Sequence, residues 1–457
     1  MDQFDTIAAI ATPTGVGGIG VIRVSGPEAL TILSKLFFKK SASFESHRLY
    51  HGWVKESLEG PVLDEGMASF MRAPHSFTGE DVVEVSGHGN PTLLKQILER
   101  FFFYGARPAE PGEFTKRAFL NGKLDLNQAE ALNDLISSKT TFGIKGALKN
   151  LSGGLSSSLS GFKSRIIDLL AILESKIDFS EDLGDLDRVD FCKKIEKIVS
   201  DLRETIDRSQ SSHLLREGIR VILFGKPNVG KSSLLNAILS RERAIVSQIP
   251  GTTRDTIEES FPYKGMLFHI IDTAGWREVN EEVEREGVKR TQGLLEGADI
   301  PLLVLDGSQG LTEEDYELLR RLSKEDLIIV VNKSDLDLFD SSKLTEIISN
   351  RESIFVSAKN GNNIESLKNM IFDFSMRKLN IGSQDQNPIL ITKRQSDSLM
   401  KAHNSMQSAL FDVQNGIPED CIAIKVKSSL LYLSEMTGEN LSEEVISRVF
   451  SDFCVGK

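Results

Sequence analysis

Short apolar runs alternate with helical patterns between residues 219 and 374, and this alternation dominates the middle of the chain. Five runs have the length and composition of buried strands: 219–224, 266–271, 300–305, 327–331 and 353–356. Strands that alternate with helices predict a mostly parallel sheet with helices on both faces. We therefore expect an α/β domain in the middle of the chain.

Helical patterning precedes and follows that segment. Between residues 125 and 216, apolar residues recur at spacings of three and four, as in Phe162, Ile166, Leu169, Leu173 and Ile177. This spacing places them on one face of a helix. A polar stretch, 380–387, separates the α/β segment from a second helical stretch that begins at residue 389. The second stretch is short for a core of its own, so we expect it to pack against the first. The alternative is a separate helical appendage.

The first 120 residues mix short β-like runs, 19–24 and 82–85, with turns and one helical run, 91–104. This mixture predicts a small α+β domain. The complete expectation is a multidomain chain with an α+β domain at 1–120, a discontinuous all-α domain at 121–216 and 379–457, and an inserted α/β domain at 217–378.

Composition agrees with several globular domains. The chain has 457 residues, 40% of them hydrophobic and 26% charged, which suggests about three domains. Its formal net charge of −12 argues against a surface that coats nucleic acid generally. Three scattered cysteines exclude a disulfide framework or a zinc site. We expect a cytoplasmic protein without a signal peptide or membrane span.

A phosphate-binding motif follows the first strand candidate. Residues 225–232 read GKPNVGKS and fit the pattern G-x-x-x-x-G-K-[ST] between a strand and a helix. In that context the backbone N–H groups point at phosphate oxygens, and the helix N-terminus adds positive potential. The alternative is a plain glycine turn. The candidate ligands here are Asn228, Val229, Gly230, Lys231, Ser232 and Ser233.

Four further motifs follow in the order found in GTPases. They are 251–255 (GTTRD), 272–275 (DTAG), 332–335 (NKSD) and 357–359 (SAK). Hydroxyl and carboxylate groups in the first two suit magnesium, whereas a carboxylate in the third can accept two hydrogen bonds from guanine, which adenine cannot offer. The candidate GTP ligands in these motifs are Gly251, Thr252, Thr253, Asp272, Thr273, Ala274, Gly275, Asn332, Lys333, Asp335, Ser357, Ala358 and Lys359.

One position departs from the common GTPase pattern. Many GTPases place a glutamine after the D-x-x-G glycine to orient the attacking water, but this chain has Trp276 there. Another group must therefore position the water, and the acidic stretch 278–286 supplies candidates. Arg254 and Arg277 are possible arginine fingers, although nothing else in the sequence supports either.

The full chain resembles the MnmE (TrmE) family of bacterial tRNA-modification GTPases, within the TrmE-Era-EngA-like group. Besides the GTPase motifs, the resemblance rests on the following segments: 11–13 (ATP) with Gly17 and Gly18, 76–81 (SFTGED), 111–115 (PGEFT), 118–121 (AFLN), 123–126 (KLDL) and the terminal 453–457 (FCVGK).

The resemblance implies how hydrolysis would proceed without an arginine finger. In the family a potassium ion takes the position of the finger and can neutralise developing charge. Its ligands match Asn228, Ser247, Ile249 and Thr252; Gln248 and Pro250 belong to the same GTP-binding loop. Mg²⁺ would be held by Ser232 and Thr253, and the water-orienting glutamate matches Glu284.

The resemblance also implies the remaining partners. The N-terminal domain would form a homodimer and bind a tetrahydrofolate derivative (5-formyl or 5,10-methylene) through Arg23, Glu80, Lys123 and Lys457. Cys454 would take part in the modification chemistry, and Lys457 could favour its thiolate. With the flavoprotein MnmG (GidA), in a heterotetramer or larger complex, the family adds an aminomethyl or carboxymethylaminomethyl group to C5 of wobble uridine 34 in certain tRNAs.

Some alternatives remain open at this point. Arg23 and Lys123 could be solvated surface charges, and Cys454 could be an inert apolar residue. His88, between two glycines, is interpreted as a turn or packing residue rather than a base. A regulatory GTPase of ribosome assembly is the second function, although it would lack the N-terminal segment and the Cys-x-Gly-Lys end.

Overall fold

Two compact units make up the chain: residues 1–133, 150–200 and 397–457 form the first, and residues 134–149 and 201–396 form the second. The computed structural model describes residues 5–40, 43–57, 59–179, 186–209, 211–239, 258–272, 298–309, 311–313, 315–316, 319, 327–337, 351–379, 388–439 and 441–456.

A seven-stranded sheet organises the N-terminal part of the first unit, with strand order β3-β4-β5-β6-β2-β1-β7. Its strands are β1 (Ile7–Ile10), β2 (Gly17–Ser25), β3 (Phe37–Phe38), β4 (Arg48–Lys55), β5 (Val62–Met71), β6 (Val82–Gly89) and β7 (Arg107–Pro108). All pairs are antiparallel except β1 with β7. The runs predicted at 19–24 and 82–85 lie within β2 and β6.

Two helices, α1 (Ala29–Leu36) and α2 (Pro91–Phe103), pack on one face of this sheet. Helix α2 begins where predicted because the Asn90 side chain accepts hydrogen bonds from the backbone N–H groups of Thr92 and Leu93. Alternate residues of the central strands bury their side chains against these helices. This core includes Ile22, Val24, Phe70, Val83, Val85, Leu33, Ile97 and Phe101.

Helices complete the first unit: α3 (Glu113–Leu120), most of α4 (Leu126–Ser137), α6 (Gly154–Asp178), the first part of α7 (Arg188–Ser209), most of α11 (Lys393–Gln414), α12 (Glu419–Thr437) and α13 (Glu443–Ser451). Helix α6 packs against α12. Lys163 of α6 donates to Thr437, the last residue of α12, and to Glu439 just beyond it. Helices from before and after the inserted segment therefore share one core, which confirms the discontinuous helical domain.

The predicted apolar face of α6 is buried over most of its length. Phe162, Ile166, Leu169 and Leu173 are buried, whereas Ile177, in the last turn, is 41% exposed. The face therefore ends before Ile177, where the helix itself is about to end.

A six-stranded sheet forms the centre of the second unit, with strand order β13-β12-β11-β8-β10-β9. Its strands are β8 (Ile219–Phe224), β9 (Glu258–Tyr263), β10 (Met266–Asp272), β11 (Ile300–Asp306), β12 (Ile328–Asn332) and β13 (Glu352–Phe355). Only β9 runs antiparallel to its neighbour. The five predicted strands are present, and the mostly parallel sheet is confirmed.

Apolar clusters cover both faces of this sheet. Helices α9 (Lys231–Leu239) and α10 (Ile364–Lys378) share one cluster with Val221, Leu223 and Val304. The opposite face buries Phe224, Leu303 and Ile329 against Leu319. Strands buried on both faces explain why the sequence shows continuous apolar runs here.

Further helical segments belong to this unit: most of α5 (Thr141–Leu151), the end of α7 and α8 (Ser212–Glu217). Arg216 pairs with Asp134 at 2.7 Å, and the backbone N–H of Thr141 donates to the Gly265 carbonyl in the turn between β9 and β10. These bonds hold residues 134–149 and 201–217 to the sheet. In the described part of the chain, no helix has the length and apolarity that crossing a membrane requires.

Candidate functional site

The phosphate-loop motif lies between β8 and α9, at the carboxyl end of a central strand. Its backbone is left-handed at Asn228 (φ 63°) and at Gly230 (φ 94°). A Cβ atom at Gly230 would lie 2.3 Å from Nδ2 of Asn332, so only glycine fits there. Asparagine tolerates the left-handed region better than most residues, which gives Asn228 a backbone role independent of any ligand. The loop therefore has the turn that lets its N–H groups converge on an anion.

Two lysines tie this loop to its surroundings. Lys231 is buried, and its Nζ donates to the carbonyls of Gly225 (3.0 Å) and Lys226 (2.7 Å). The ammonium group thus lies over the loop, where phosphate oxygens would bind. Lys226 pairs with the buried carboxylate of Asp315 and also donates to Thr312.

Oxygen ligands suitable for magnesium lie beside the loop. Ser232, at the start of α9, donates from Oγ to Oδ2 of Asp272 at 2.9 Å. Asp272 is the last residue of β10, adjacent to β8. Mg²⁺ prefers hydroxyl, carboxylate and water oxygens at about 2.0–2.1 Å in an octahedral arrangement. This donor pair fits the ion: the Ser232 hydroxyl would bind it directly, and the Asp272 carboxylate would hold it through a water molecule.

Asn332 connects the phosphate loop to the last motif. Its side chain is buried, its Nδ2 donates to the Val229 carbonyl (3.0 Å), and its Oδ1 accepts from the backbone N–H of Ala358 (3.0 Å). Its amide is therefore used in fixing two loops that would contact the nucleotide from opposite ends.

The surroundings of Asp335 are compatible with its predicted role of binding the guanine base. Its Oδ1 accepts from Ser357 Oγ at 2.6 Å, and Ser357 Oγ also accepts from the Asn360 N–H. The hydrogen bond from Ser357 lowers the pKa of Asp335, so the carboxylate is ionised at neutral pH. Lys333 has a left-handed backbone (φ 63°) and pairs with Asp306 at 2.6 Å.

The remaining residues predicted at the nucleotide site fall into two groups: those that the structure describes and those outside the described residues. Ser233 and Lys359 are exposed next to Ser232 and Ala358. The others lie outside the described residues: Ser247, Gln248, Ile249, Pro250, Gly251, Thr252, Thr253, Thr273, Ala274, Gly275, Trp276 and Glu284, with Arg254 and Arg277.

Arg23 lies in a polar and aromatic setting in the first unit. On β2, it pairs with Glu84 of β6 at 2.8 Å, and its guanidinium lies 5.5 and 5.8 Å from the ring centres of Phe77 and Phe114. Its Nη1 is 3.5 Å from the Gly456 carbonyl. Its side chain is 23% exposed, so a solvated surface charge is the wrong description.

Glu80 lies on the same side of β2 as Arg23. Its Oε2 accepts from Ser25 Oγ at 2.7 Å, and Ser25 follows Arg23 by two residues on the strand. Arg117 Nη1 donates to both Glu80 oxygens, at 3.2 and 3.0 Å. Burial alone would lower the pKa of Arg117, but its carboxylate partners, with Glu80 foremost, raise it.

Lys123 reaches the segment that carries Glu80. Its Nζ donates to the Pro74 carbonyl at 3.1 Å, and its Cγ would lie 3.5 Å from a Cβ atom at Gly79. Asn121 donates to the Thr78 carbonyl at 2.7 Å, which holds the end of α3 to the same segment. The three described folate candidates are therefore grouped around residues 74–80.

The C-terminal motif lies against the same domain. The Cys454 carbonyl accepts from the Gly112 N–H at 3.3 Å, and Cys454 itself is exposed. Gly456 has φ 93°, and a Cβ atom there would lie 2.4 Å from the Ile10 carbonyl oxygen. The glycine of Cys-x-Gly-Lys thus permits the close approach to β1, and its own carbonyl lies 3.5 Å from Arg23 Nη1. Lys457 lies outside the described residues.

Sequence reasoning missed four residues of this group: Ser25, Phe77, Phe114 and Arg117. Phe77 and Phe114 lie inside segments that carry the family resemblance, and Arg117 follows closely. Residue type alone predicts no function for them, because the function of an aromatic ring or an arginine depends on the groups that it contacts in the folded protein.

His88 is interpreted from the sequence as a turn or packing residue, and its exposure contradicts the packing alternative. It lies near the end of β6 with its side chain 72% exposed, and its Nδ1 is 2.7 Å from Oδ1 of the buried Asp64. The hydrogen bond that His88 donates to Asp64 raises the pKa of His88. Among the residues that the structure describes, no group of three or more His, Cys, Asp or Glu side chains could hold a metal ion.

Comparisons with known proteins agree with this arrangement. The family model described as GTP-binding protein TrmE N-terminus matches residues 6–123, and the MnmE helical domain model matches residues 126–454. The protein named tRNA modification GTPase MnmE from Syntrophus aciditrophicus is 41% identical over 459 residues, covering 99% of both chains. The protein of the same name from Natranaerobius thermophilus is 42% identical over 460 residues, again covering 99% of both. The chain belongs to the MnmE (TrmE) family of tRNA-modification GTPases.

Proposed function

We propose that this chain hydrolyses GTP in a potassium-dependent reaction and, with the flavoprotein MnmG (GidA), modifies C5 of wobble uridine 34 in certain tRNAs. The added group is aminomethyl or carboxymethylaminomethyl. The observation that carries the GTPase assignment is the convergence of three motifs at the carboxyl ends of β8, β10 and β12, where open parallel sheets bind ligands.

Each motif would contribute a distinct contact to GTP. The phosphate loop and Lys231 would bind the phosphates, Ser232 and Thr253 the magnesium ion, and Asp335 the guanine N1 and N2 groups. A magnesium ion held there would supply positive charge against the phosphates during phosphoryl transfer. A hydrogen bond joins Ser232 to Asp272, so the described hydroxyl ligand lies beside a carboxylate that can hold the ion through water.

Potassium would replace the arginine finger. Asn228, Ser247, Ile249 and Thr252 would be its ligands, and Glu284 would orient the attacking water through a second water. The left-handed backbone accounts for an asparagine at position 228 without any ligand, so the support for the potassium ligand is membership of the family. A finger contributes roughly 10³ to 10⁵ in rate, so an effective substitute must act on the same developing charge.

The N-terminal domain would bind 5-formyl- or 5,10-methylene-tetrahydrofolate through Arg23, Glu80, Lys123 and Lys457, with Cys454 taking part in the modification. Support comes from the grouping of the first three around residues 74–80, with Arg23 also 3.5 Å from the Gly456 carbonyl. A homodimer through this domain, a heterotetramer or larger complex with the flavoprotein, and a cytoplasmic location complete the proposal.

Nucleotide binding by the Asp335→Asn variant tests the base assignment. Losing a carboxylate that accepts two hydrogen bonds is expected to weaken GTP binding by about 10- to 100-fold. Xanthine nucleotides should gain affinity, because an asparagine N–H can donate to the carbonyl that replaces the guanine amino group. Titration of fluorescent GDP and XDP measures both effects, and an unchanged preference for guanine would contradict the assignment.

A further inference from the structure

Glu80 belongs to a network of five charged side chains in the first unit. Arg107 donates to Glu113 through two bonds (2.9 and 2.6 Å) and pairs with Asp5. Arg117 pairs with Asp5 (2.6 Å), with Glu113 (3.0 Å) and with Glu80 (3.0 Å). The network contains three carboxylates and two guanidinium groups, so it carries one excess negative charge.

Arg117 is held rigidly within this network. Its side chain is 11% exposed, and one Nη2 atom contacts both Asp5 and Glu113 while Nη1 also donates to the Asp5 carbonyl at 2.9 Å. Glu113 and Arg117 are four residues apart on α3, which places them on the same helix face. A buried guanidinium with fixed partners on two sides has little freedom to reorient.

The orientation of Glu80 follows from its donors. Oε2 accepts from Arg117 and Ser25, whereas Oε1 accepts only from Arg117 among the described residues. A carboxylate oxygen has two acceptor positions, so Oε1 keeps one for a ligand. The Ser25 hydroxyl is itself fixed, since it lies 2.7 Å from Thr78 Oγ1 and the side chain is fully buried.

We propose that Arg117, together with Ser25, is a positioning residue that fixes Glu80 to accept N–H groups from the 2-aminopyrimidinone edge of the folate pterin ring. This inference rests on the proposed folate binding. The excess negative charge of the network leaves Glu80 a strong acceptor, and the pterin's 2-amino and N3–H groups are neighbouring donors of matching geometry. Arg117 and Ser25 touch the carboxylate and not the folate.

The test compares two lysine substitutions in the same network. Arg117→Lys keeps the charge but loses the planar group whose Nη1 contacts Glu80 while its Nη2 contacts Asp5 and Glu113. Arg107→Lys disturbs Asp5 and Glu113 without any contact to Glu80. Calorimetric titration of the full chain with 5-formyl-tetrahydrofolate is expected to show an affinity loss of about 10- to 100-fold for Arg117→Lys and less than about threefold for Arg107→Lys. Equal losses in the two variants would overturn the inference.

A second ligand separates positioning from general damage. A folate carrying a methyl group in place of the 2-amino group lacks a donor for Glu80, so wild type should prefer the natural ligand clearly. Arg117→Lys should reduce that preference towards the value of Glu80→Gln, and Arg107→Lys should keep it. Preference retained at the wild-type value in Arg117→Lys would contradict positioning.

Two further outcomes are distinguishable. Wild-type protein that binds no folate would overturn both the folate proposal and this inference, whereas wild-type binding with normal Arg117→Lys behaviour would overturn the inference alone. If Arg117→Lys is unfolded by circular dichroism, Ser25→Ala removes the other Glu80 donor with little change in volume. Reduced 2-amino preference in Ser25→Ala supports the inference, and unchanged preference overturns it.

Discussion

Replacing Asn228 by glycine separates the backbone role that the structure gives to this position from its proposed role as a potassium ligand. The residue is left-handed, with φ 63°, in the loop that would cradle the phosphates. Glycine keeps that backbone without strain and removes the proposed potassium ligand. Alanine removes the same ligand and also places a Cβ atom in an unfavourable region. The pair therefore distinguishes a ligand from a conformational requirement.

The two effects differ in magnitude. A left-handed alanine costs about 1–2 kcal/mol, which corresponds to roughly a 5- to 30-fold change in the population of the competent loop. Losing an ion that stabilises the transition state should cost about 3 kcal/mol, or roughly 100-fold in rate, by analogy with the loss of one preorganised donor. The strain acts in any salt, whereas the ion effect exists only in potassium.

GTP hydrolysis at saturating nucleotide, measured in KCl and in NaCl at equal ionic strength, provides the assay. We expect wild type to be about 100-fold faster in potassium and Asn228→Gly to show nearly equal rates in the two salts. Asn228→Ala should match the glycine variant in salt ratio and bind GDP more weakly. An Asn228→Gly variant that keeps the wild-type ratio of rates would refute the assignment of a potassium ligand.

Further predictions concern hydrolysis and acid stability. Glu284→Ala should lower the single-turnover rate with nearly unchanged affinity for fluorescent GDP, because the residue orients water and not nucleotide; lost binding would indicate a structural role. Burial alone would raise the pKa of Glu113, but hydrogen bonds from Arg107, the Glu110 N–H and Arg117 lower it. Its stabilising contribution is therefore complete above the unfolded-state pKa, about 4.5, and is lost as pH falls through the lowered folded-state value. Thermal unfolding between pH 3 and 7 should show a smaller acid-induced loss for Glu113→Gln, and identical pH dependence in both proteins would contradict this.

The sequence predicted the second-unit sheet well because its strands are buried on both faces. Strand β8 matches the apolar run at 219–224, and the following loop has the motif spacing of a phosphate site. Strand β9, in contrast, gave no such signal. It has the sequence EESFPY and lies at the edge of the sheet that the described residues form. Polar residues and a proline are tolerated there because none of these residues pairs with the other side of its ladder.

Motif spacing predicted the grouping of the described nucleotide-site residues more completely than it predicted the surroundings of Glu80. Residues of a loop motif are close in the chain, so their order alone places them together. Two of the partners of Arg117 are distant along the chain: Asp5 is 112 residues away and Glu80 is 37 residues away. Charge type alone cannot select such partners, since many carboxylates have the same chemistry, and only the packing of α3 against the N-terminal strands brings these groups into contact.

Mass spectrometry of wobble uridine in tRNA from cells that lack this chain tests the central claim most directly. We expect loss of the aminomethyl and carboxymethylaminomethyl groups at C5 of uridine 34, full recovery with the wild-type gene, and little recovery with Asp335→Asn. Unchanged uridine modification in cells without the chain would contradict the account.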